Sequence, residues 1–132
     1  MNKTDSSTTR PQIKREVHII DAKDAILGRL ATRVALLLRG KHKVSFASYI
    51  DGGDYVKVIN AAAIKVTGNK LDDKMYYSHS GYIGNLKETQ LKTLLENYPE
   101  RVIERAVYGM LPKNRLRSLW MNRLRIFAGE EK

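Results

Sequence analysis

The sequence predicts an α/β fold, with one domain around a small, mostly parallel sheet of about four strands. Short strand-like apolar runs alternate along the chain with segments of helical spacing, a pattern typical of βαβ units. The length of 132 residues and the hydrophobic content of 42% suit one domain with one core. There is no internal repeat and no sign of a boundary after residue 16. We therefore expect a flexible, polar N-terminal arm over residues 1–16 and a single domain over residues 17–132.

The first strand and the first helix follow from the spacing of apolar residues. Val17, Ile19 and Ile20 form a short apolar run, which predicts a strand buried on both faces. Helical spacing follows, with Asp24 as the predicted N-cap and Gly40 as the residue that ends the helix. The apolar stripe of this helix consists of Ile26, Leu27, Leu30, Val34, Leu37 and Leu38.

The remaining strands are predicted from apolar runs that lie between turn residues. The run 55–60 follows the turn 51–54, and a right-handed crossover would place it parallel to the first strand. Two shorter strands, 64–67 and 74–77, are expected on either side of the turn Gly68-Asn69. These four runs make up the predicted sheet.

The C-terminal part of the chain is predicted to be mainly helical. An amphipathic stripe runs from Leu91 to Tyr98, and Pro99 ends that helix and serves as an early residue of the next. Gly109 and Pro112 interrupt this second helix before the same spacing resumes. We expect the last apolar stripe to face the core; its members are Leu116, Leu119, Trp120 and Leu124.

The net charge of +10 indicates a polyanionic partner, either nucleic acid or an anionic membrane. The excess lies at the two ends, with +6 in residues 1–50 and +5 in residues 101–132, against −1 between them. No apolar run approaches the roughly 18 residues of a membrane span, and no secretory signal opens the chain. We therefore expect a soluble, intracellular protein that has no membrane partner.

Several kinds of catalytic and cofactor chemistry lack their usual residues. The chain has no cysteine, which excludes disulfides, thiolate zinc sites and cysteine nucleophiles. No glycine pattern completes a phosphate-binding loop or a dinucleotide fingerprint, so no small-molecule substrate is predicted. Turn formation best explains Asp51, Asp54, Asp72 and Asp73, with salt bridges to lysines or a carboxylate metal site as alternatives. We predict no cofactor and no metal site.

The segment from Tyr76 to Tyr82 places hydroxyl groups and one imidazole close together in the sequence. Catalysis by His79 would need a carboxylate partner or a nucleophile elbow around a serine, and the spacing supplies neither. A loop of this composition suits stacking on bases and hydrogen bonds to phosphates or ribose, while an ordinary packed loop is the alternative. We favour the nucleic-acid interpretation.

Two basic segments are candidates for phosphate contact. The cluster Gly40-Lys-His-Lys43 follows a predicted helix end, where lysines complement the helix dipole and also suit phosphates. The segment 109–125 holds five basic residues and no acidic one. A solvated basic face would normally include acidic residues, so this segment indicates polyanion binding. Its cations Lys113, Arg115, Arg117 and Arg123 are expected to fall off the apolar stripe, toward solvent or a partner.

A series of short motifs occurs in a fixed order between residues 17 and 127. The most specific is Gly109-Met-Leu-Pro-Lys-Asn-Arg-Leu116. The others are Ile20-Asp-Ala22, Leu27-Gly-Arg-Leu-Ala31, Arg39-Gly-Lys-His-Lys43, Gly53-Asp-Tyr-Val56, Val58-Ile-Asn-Ala61, Lys65-Val-Thr-Gly-Asn-Lys70 and Tyr76-Tyr-Ser-His-Ser-Gly-Tyr82. In these blocks the chain resembles the universal large-subunit ribosomal protein family numbered thirteen, in its bacterial or organellar form.

The resemblance implies a three-layer α/β/α domain that binds large-subunit ribosomal RNA and acts early in subunit assembly without catalysis. It also implies neighbouring large-subunit ribosomal proteins as partners, and a location in a cytoplasmic or organellar ribosome. Together with the charge pattern, it leads us to expect RNA contacts from Arg39, Lys41, His42, Lys43, Lys70, Tyr77, His79, Tyr82, Lys113, Asn114, Arg115, Arg117 and Arg123.

Two other functions remain open at this point. The chain could act away from the ribosome as a regulator that binds messenger RNA or a protein through the same basic surface. It could also be a small α/β nuclease or transferase that uses His79 together with an aspartate. This last function would require His79 to lie beside a carboxylate in a cleft.

Overall fold

Two sheets and five α-helices make up residues 13–130, the part of the chain that this computed structural model describes. A short 3₁₀ helix, Ala61–Ala63, follows the second strand. The strands and α-helices in chain order are β1 (Val17–Asp21), α1 (Leu27–Arg39), β2 (Tyr55–Ile59), α2 (Lys70–Asp73), β3 (Met75–His79), β4 (Leu86–Gln90), α3 (Leu91–Asn97), α4 (Pro99–Met110), α5 (Leu116–Asn122) and β5 (Leu124–Ile126).

The main sheet is parallel throughout and has the order β1-β2-β5. Ile20 pairs with Val58, which in turn pairs with Ile126 on the other side. The predicted βαβ unit formed by β1, α1 and β2 is therefore confirmed. The core lies between this sheet and the helices α1 and α4, where Val56, Val58 and Ile20 are buried with the helix stripes.

Within residues 13–130 no helix covers the opposite face of the main sheet, which differs from the prediction that the first strand is buried on both faces. Val17 is 57% exposed and Ile19 is 63% exposed, and Tyr55 beside them is exposed as well. Two right-handed crossovers that move in the same direction across a sheet place α1 and α4 on the same side of it. Residues 13–130 thus show one helical layer on this sheet, whereas the resemblance implies two.

The second sheet is a hairpin of β3 and β4, paired antiparallel with Tyr77 opposite Glu88. The prediction of a single four-stranded sheet is wrong in this respect, because residues 64–67 form no strand and Lys65 makes only an isolated bridge to Ile26. The true partner of β3 is β4, in which Leu86 is the one bulky apolar residue. An exposed strand of this kind lacks the alternation by which strands are recognised.

The ends of α1 show which sequence signals determine its length. Asp24 is not the N-cap as predicted; it has a positive φ of 59° and pairs with Lys65 at 2.8 Å, and the helix begins at Leu27. Gly40 ends the helix with a φ of +82°, as predicted. The left-handed region strongly favours glycine, which has no Cβ to clash with the backbone.

The C-terminal helices follow the prediction in part, but Gly109 lies within α4 and does not interrupt it, and Tyr98, the last member of the apolar stripe predicted from Leu91 onward, is 52% exposed. Pro99 occupies the first turn of α4, and Trp120 and Leu124 are buried. Leu119, expected in the core, is 48% exposed. The predicted stripe treated Leu116 to Leu124 as one helix, but α5 ends at Asn122 and Leu124 belongs to β5. The buried face of α5 is therefore not the one that the stripe defines.

The start of the described chain is tied to the domain by hydrogen bonds. The guanidinium group of Arg15 donates to the carbonyl oxygen of Gly53 at 2.5 Å, and the backbone carbonyl of Glu16 accepts from the N–H of Tyr55 at 2.9 Å. These two residues belong to the predicted arm, and residues 1–12 of that arm lie outside the described residues. In residues 13–130 no helix is long and apolar enough to cross a lipid bilayer.

Candidate nucleic-acid interface

The loop that follows α1, residues 40–54, is fixed at its far end by Arg123. The guanidinium group donates to both carboxylate oxygens of Asp51 at 2.5 Å and to the carbonyl oxygen of Leu38 at 2.9 Å. The prediction that Arg123 points toward solvent or a partner is wrong, because the side chain is buried against this loop. Its cation neutralises a partly buried carboxylate, and its contact with RNA remains only a sequence prediction.

A second network surrounds the fully buried side chain of Asp54. Its Oδ2 atom lies 2.8 Å from His18 Nε2 and 2.9 Å from His42 Nε2, and its Oδ1 atom accepts from Lys43 Nζ at 2.6 Å. Burial opposes ionisation of this carboxyl, but the hydrogen bonds from Lys43, His18 and the Glu16 N–H hold its pKa well below the usual range. His42 and Lys43, both predicted RNA contacts, therefore have an internal partner already.

Arg39 and Lys41 line a groove at the C-terminal end of α1. The Arg39 guanidinium group stacks over the ring of Phe46 at 5.2 Å, and Lys41 is exposed. Leu111, at the end of α4, lines the same groove, which has a cavity volume of about 350 Å³. The structure thus brings the first basic segment next to the Gly-Met-Leu-Pro motif of the second.

The turn 112–115, which follows α4, lines a second groove. Asn114 Oδ1 accepts from the N–H of Leu116 at 3.0 Å, which fixes the start of α5. Asn114 and Arg115 line a groove with Ser48 and Tyr49 of the loop after α1, with a cavity volume of about 450 Å³. In both grooves, therefore, residues from the end of α1 or the loop after it meet residues from the end of α4 or the turn after it.

The cations at these grooves differ from the buried ones in being unpaired. Among residues 13–130, Lys41, Lys113 and Arg115 are exposed and form no ion pair. We call Arg39, Lys41, Lys113, Asn114 and Arg115 the basic surface. Arg117, which follows it in α5, stacks on the Tyr108 ring at 3.8 Å and donates to the Tyr108 hydroxyl at 2.7 Å.

The hairpin carries the remaining predicted contacts on a different part of the molecule, where it packs on α2 and α3. Tyr77 and Tyr82 are largely exposed, as is Lys70 at the start of α2. The Nδ1 atom of His79 accepts from the N–H of Gly81 at 2.9 Å. Within the described part of the chain no carboxylate pairs with His79, so the arrangement required for catalysis is not formed there.

Sequence reasoning missed two arginines on α4. Arg101 stacks over Tyr98 at 4.7 Å, and Arg105 stacks over Tyr76 at 5.0 Å. Together with Tyr108 they line a groove between α4 and α5 with a cavity volume of about 560 Å³. Their spacing of four residues on the exposed face of the helix could have revealed them, because such pairs project from the same side.

Fold and site together define a small, basic α/β domain of the kind that binds polyanions, with unpaired cations around grooves and exposed aromatic rings on a hairpin. Comparison with known proteins gives the family. The chain belongs to the ribosomal protein L13 family, whose model matches residues 15–132. The resemblance inferred from the motifs is therefore confirmed.

Curated relatives in several bacteria support this assignment. The chain is 54% identical over 125 residues to the large ribosomal subunit protein uL13 of Nitratidesulfovibrio vulgaris strain Miyazaki F, covering 95% of this chain and 87% of the relative. It is 56% identical over 119 residues to the protein of that name in Lawsonia intracellularis, covering 90% and 83%. It is 52% identical over 119 residues to the uL13 protein of Clostridioides difficile, and the match covers 90% of this chain and 83% of the relative. These relatives are named as ribosomal proteins rather than enzymes, in agreement with the predicted absence of catalysis.

Proposed function

We propose that this chain is a non-catalytic structural constituent of the large ribosomal subunit, which binds large-subunit ribosomal RNA and supports early subunit assembly. Its relatives are named as large-subunit proteins. The observation that carries RNA binding is that Lys41 and Arg115 each line a groove, and that both are exposed and without ion pairs within residues 13–130. Lys113, next to Asn114 of the second groove, is likewise exposed and unpaired there. Unpaired, exposed cations are suited to neutralising backbone phosphates.

The basic surface acts through position as well as charge. The loop after α1 is held by the contacts of Arg123 and Asp54, and the turn 112–115 is fixed by the hydrogen bond of Asn114. Groups that are already ordered lose less conformational entropy when they bind. The protein would therefore present a preformed arrangement of cations to a particular shape of folded RNA.

The hairpin would supply a second contact. Tyr77 and Tyr82 expose their rings, which suit stacking on unpaired bases. With Nδ1 accepting from Gly81, a neutral His79 carries its proton on Nε2, which can donate to a phosphate or a ribose hydroxyl. Lys70 would add a phosphate contact beside them.

The proposed partners are large-subunit ribosomal RNA and neighbouring large-subunit proteins, and the proposed location is the ribosome. The relatives are bacterial, which favours the cytoplasmic ribosome of a bacterium over that of an organelle. The open face of the main sheet, with Val17 and Ile19, is a surface on which a neighbouring protein could pack. A second helical layer on the sheet, implied by the resemblance, would have to occupy this same face.

RNA binding is tested by the salt dependence of affinity. We expect the double variant Lys113→Ala/Arg115→Ala to bind a large-subunit ribosomal RNA fragment more weakly than wild type, with a salt slope smaller by about 1 for each phosphate that is no longer neutralised. Filter binding over a range of potassium chloride concentrations measures this slope. The control Lys92→Ala/Arg125→Ala removes two exposed cations that lie outside the basic surface. Wild-type affinity that does not change with salt, or equal slopes for the two variants, would contradict the proposal.

A further inference from the structure

Two histidines and one aspartate lie close together where β1 meets the loop after α1, and the RNA-binding proposal does not use them. His18 lies in β1, His42 in the loop, and Asp54 just before β2. The two Nε2 atoms lie 2.8 and 2.9 Å from the same Asp54 Oδ2 atom, and all three atoms lie within 4.8 Å of one another. His18 is 36 residues from Asp54 in the sequence, so the fold brings it to the two residues of the loop.

The three atoms have the identity and the spacing of a metal site. Imidazole nitrogen and carboxylate oxygen are common zinc ligands, with metal–ligand distances of about 2.0–2.2 Å, so tetrahedral ligands stand about 3.3 Å apart. Two separations in this cluster, 2.8 and 2.9 Å, are shorter than this value, and the third, between the two imidazoles, is at most 4.8 Å. Shifts of about half an ångström, within ordinary rotamer adjustment, would bring all three atoms to bonding distance from one ion.

The other oxygen of Asp54 is held in the way that supporting groups hold a metal-binding carboxylate. Oδ1 accepts from Lys43 Nζ at 2.6 Å and from the N–H of Glu16 at 3.2 Å. The backbone N–H of Asp54 donates to the carbonyl oxygen of Leu37 at 3.1 Å. These bonds leave Oδ2 facing the imidazoles, and such orientation of the ligand by its neighbours is typical of protein metal sites.

The site is also accessible. The side chains of His18 and His42 are 28% and 27% exposed, while that of Asp54 is fully buried. An ion bound by these three groups would therefore have a fourth position open to solvent, as zinc sites with three protein ligands do. Because Lys43 already balances the charge of Asp54, the bound ion would favour an anion or hydroxide in that position.

From this arrangement we propose that His18, His42 and Asp54 bind one divalent transition-metal ion of the zinc type, which joins β1 to the loop after α1. The sequence predicts no metal site, because residues 18, 42 and 54 follow no metal-binding spacing. The proposal does not depend on the proposed function. A metal-free cluster, in which both imidazoles simply donate to Oδ2, is the alternative that the experiment must distinguish.

The wild-type protein provides the first test, because the chain has only three histidines. Metal-free full-length protein is titrated with zinc chloride alone and followed by calorimetry and by NMR of the histidine rings. We expect one ion per chain, shifts of the His18 and His42 ring signals with His79 unaffected, and a higher melting temperature with zinc. Absence of binding up to millimolar zinc, or shifts at His79 equal to those at the other two, would overturn the proposal.

Variants provide the second test. His18→Gln and His42→Gln each remove a nitrogen ligand and leave a side chain that can still donate to Asp54, and we expect zinc affinity to fall by about tenfold or more. His79→Gln is the matched control and should bind zinc as wild type does, since His79 lies in the hairpin. Equal losses in the three variants would overturn the proposal. If a ligand variant does not fold, as judged by circular dichroism, the NMR titration of wild type decides alone.

Discussion

Arg123 joins three parts of the molecule through one guanidinium group. It contacts Asp51 in the loop after α1, the carbonyl oxygen of Leu38 in α1, and the carbonyl oxygen of Asp54 just before β2. The sequence does not show which basic residue of this segment is buried, and only the fold shows that Arg123 is buried while Arg125 is exposed. Its role is to hold the loop that carries part of the basic surface.

Replacing Arg123 tests this role. We expect Arg123→Met to lower the free energy of unfolding by about 3–5 kcal/mol, because Asp51 would keep a partly buried charge without its main partner. Arg125→Met is the matched control, since Arg125 is exposed two residues further on, and should cost less than about 0.5 kcal/mol. Urea denaturation of both variants measures the difference. Similar losses would show that Arg123 does not hold the loop.

Asp51 should make stability depend on acid pH. Burial raises the pKa of its carboxyl, but Arg123 and Arg15 outweigh this and hold the pKa below the ordinary value of about 3.9. A carboxyl with a lower pKa in the folded state stabilises the fold above its unfolded pKa, and this stabilisation disappears as pH falls through the folded pKa.

We therefore expect the free energy of unfolding of wild type to decrease as pH falls below about 4, and to decrease less steeply in Asp51→Asn. Urea denaturation at a series of pH values from 6 downward, about half a unit apart, measures this. The control Asp72→Asn alters an exposed carboxyl in α2 and should retain the wild-type pH profile. Identical profiles for wild type and Asp51→Asn would contradict the expectation.

At the scale of elements, the contact between the end of α1 and the turn 52–53 sets the course of the loop. A Cβ atom on Gly53 would lie 1.6 Å from the carbonyl oxygen of Leu38, whereas a Cβ on Gly52 would meet no atom within 4 Å. The two backbones can approach only because Gly53 has no side chain. The same approach brings Arg123 to both segments.

The same substitution, glycine to alanine, at these two neighbouring positions tests whether the close approach restricts the fold. We expect Gly53→Ala to destabilise the protein by roughly 3 kcal/mol, because the backbone of α1 would have to move. Gly52→Ala should change stability by less than about 0.5 kcal/mol. Thermal and urea denaturation of both variants gives the comparison. Equal costs would mean that the close approach at Gly53 does not restrict the fold.

The elements differ in how well the sequence predicts them, for a physical reason. α1 has a continuous apolar stripe at helical spacing and a glycine just after its last residue, so both signals predict the same helix with the same end. β4 is exposed and has no apolar alternation, so only its pairing with β3 defines it. The prediction for Leu119 is wrong because a short helix and a strand together imitate one helical stripe. Local patterns thus predict elements with a buried face and miss those that tertiary pairing creates.

For the molecule as a whole, the fold decides which cations are available to a partner. The sequence identifies both basic segments, but it cannot show that Lys43 and Arg123 are neutralised by internal carboxylates while Lys41 and Lys113 are not. That distinction depends on which backbones lie side by side after folding. The net charge therefore overstates the number of free cations at the basic surface.

Incorporation into ribosomes tests the proposed function at this scale. We expect the wild-type protein, expressed in a bacterium at low level with a small tag, to sediment with large subunits in a sucrose gradient. The Lys113→Ala/Arg115→Ala variant should move toward the light fractions, because it lacks two free cations of the basic surface. The Lys92→Ala/Arg125→Ala variant should sediment as wild type, and circular dichroism should show that all three are folded. A wild-type protein that stayed in the light fractions would instead support a role away from the ribosome.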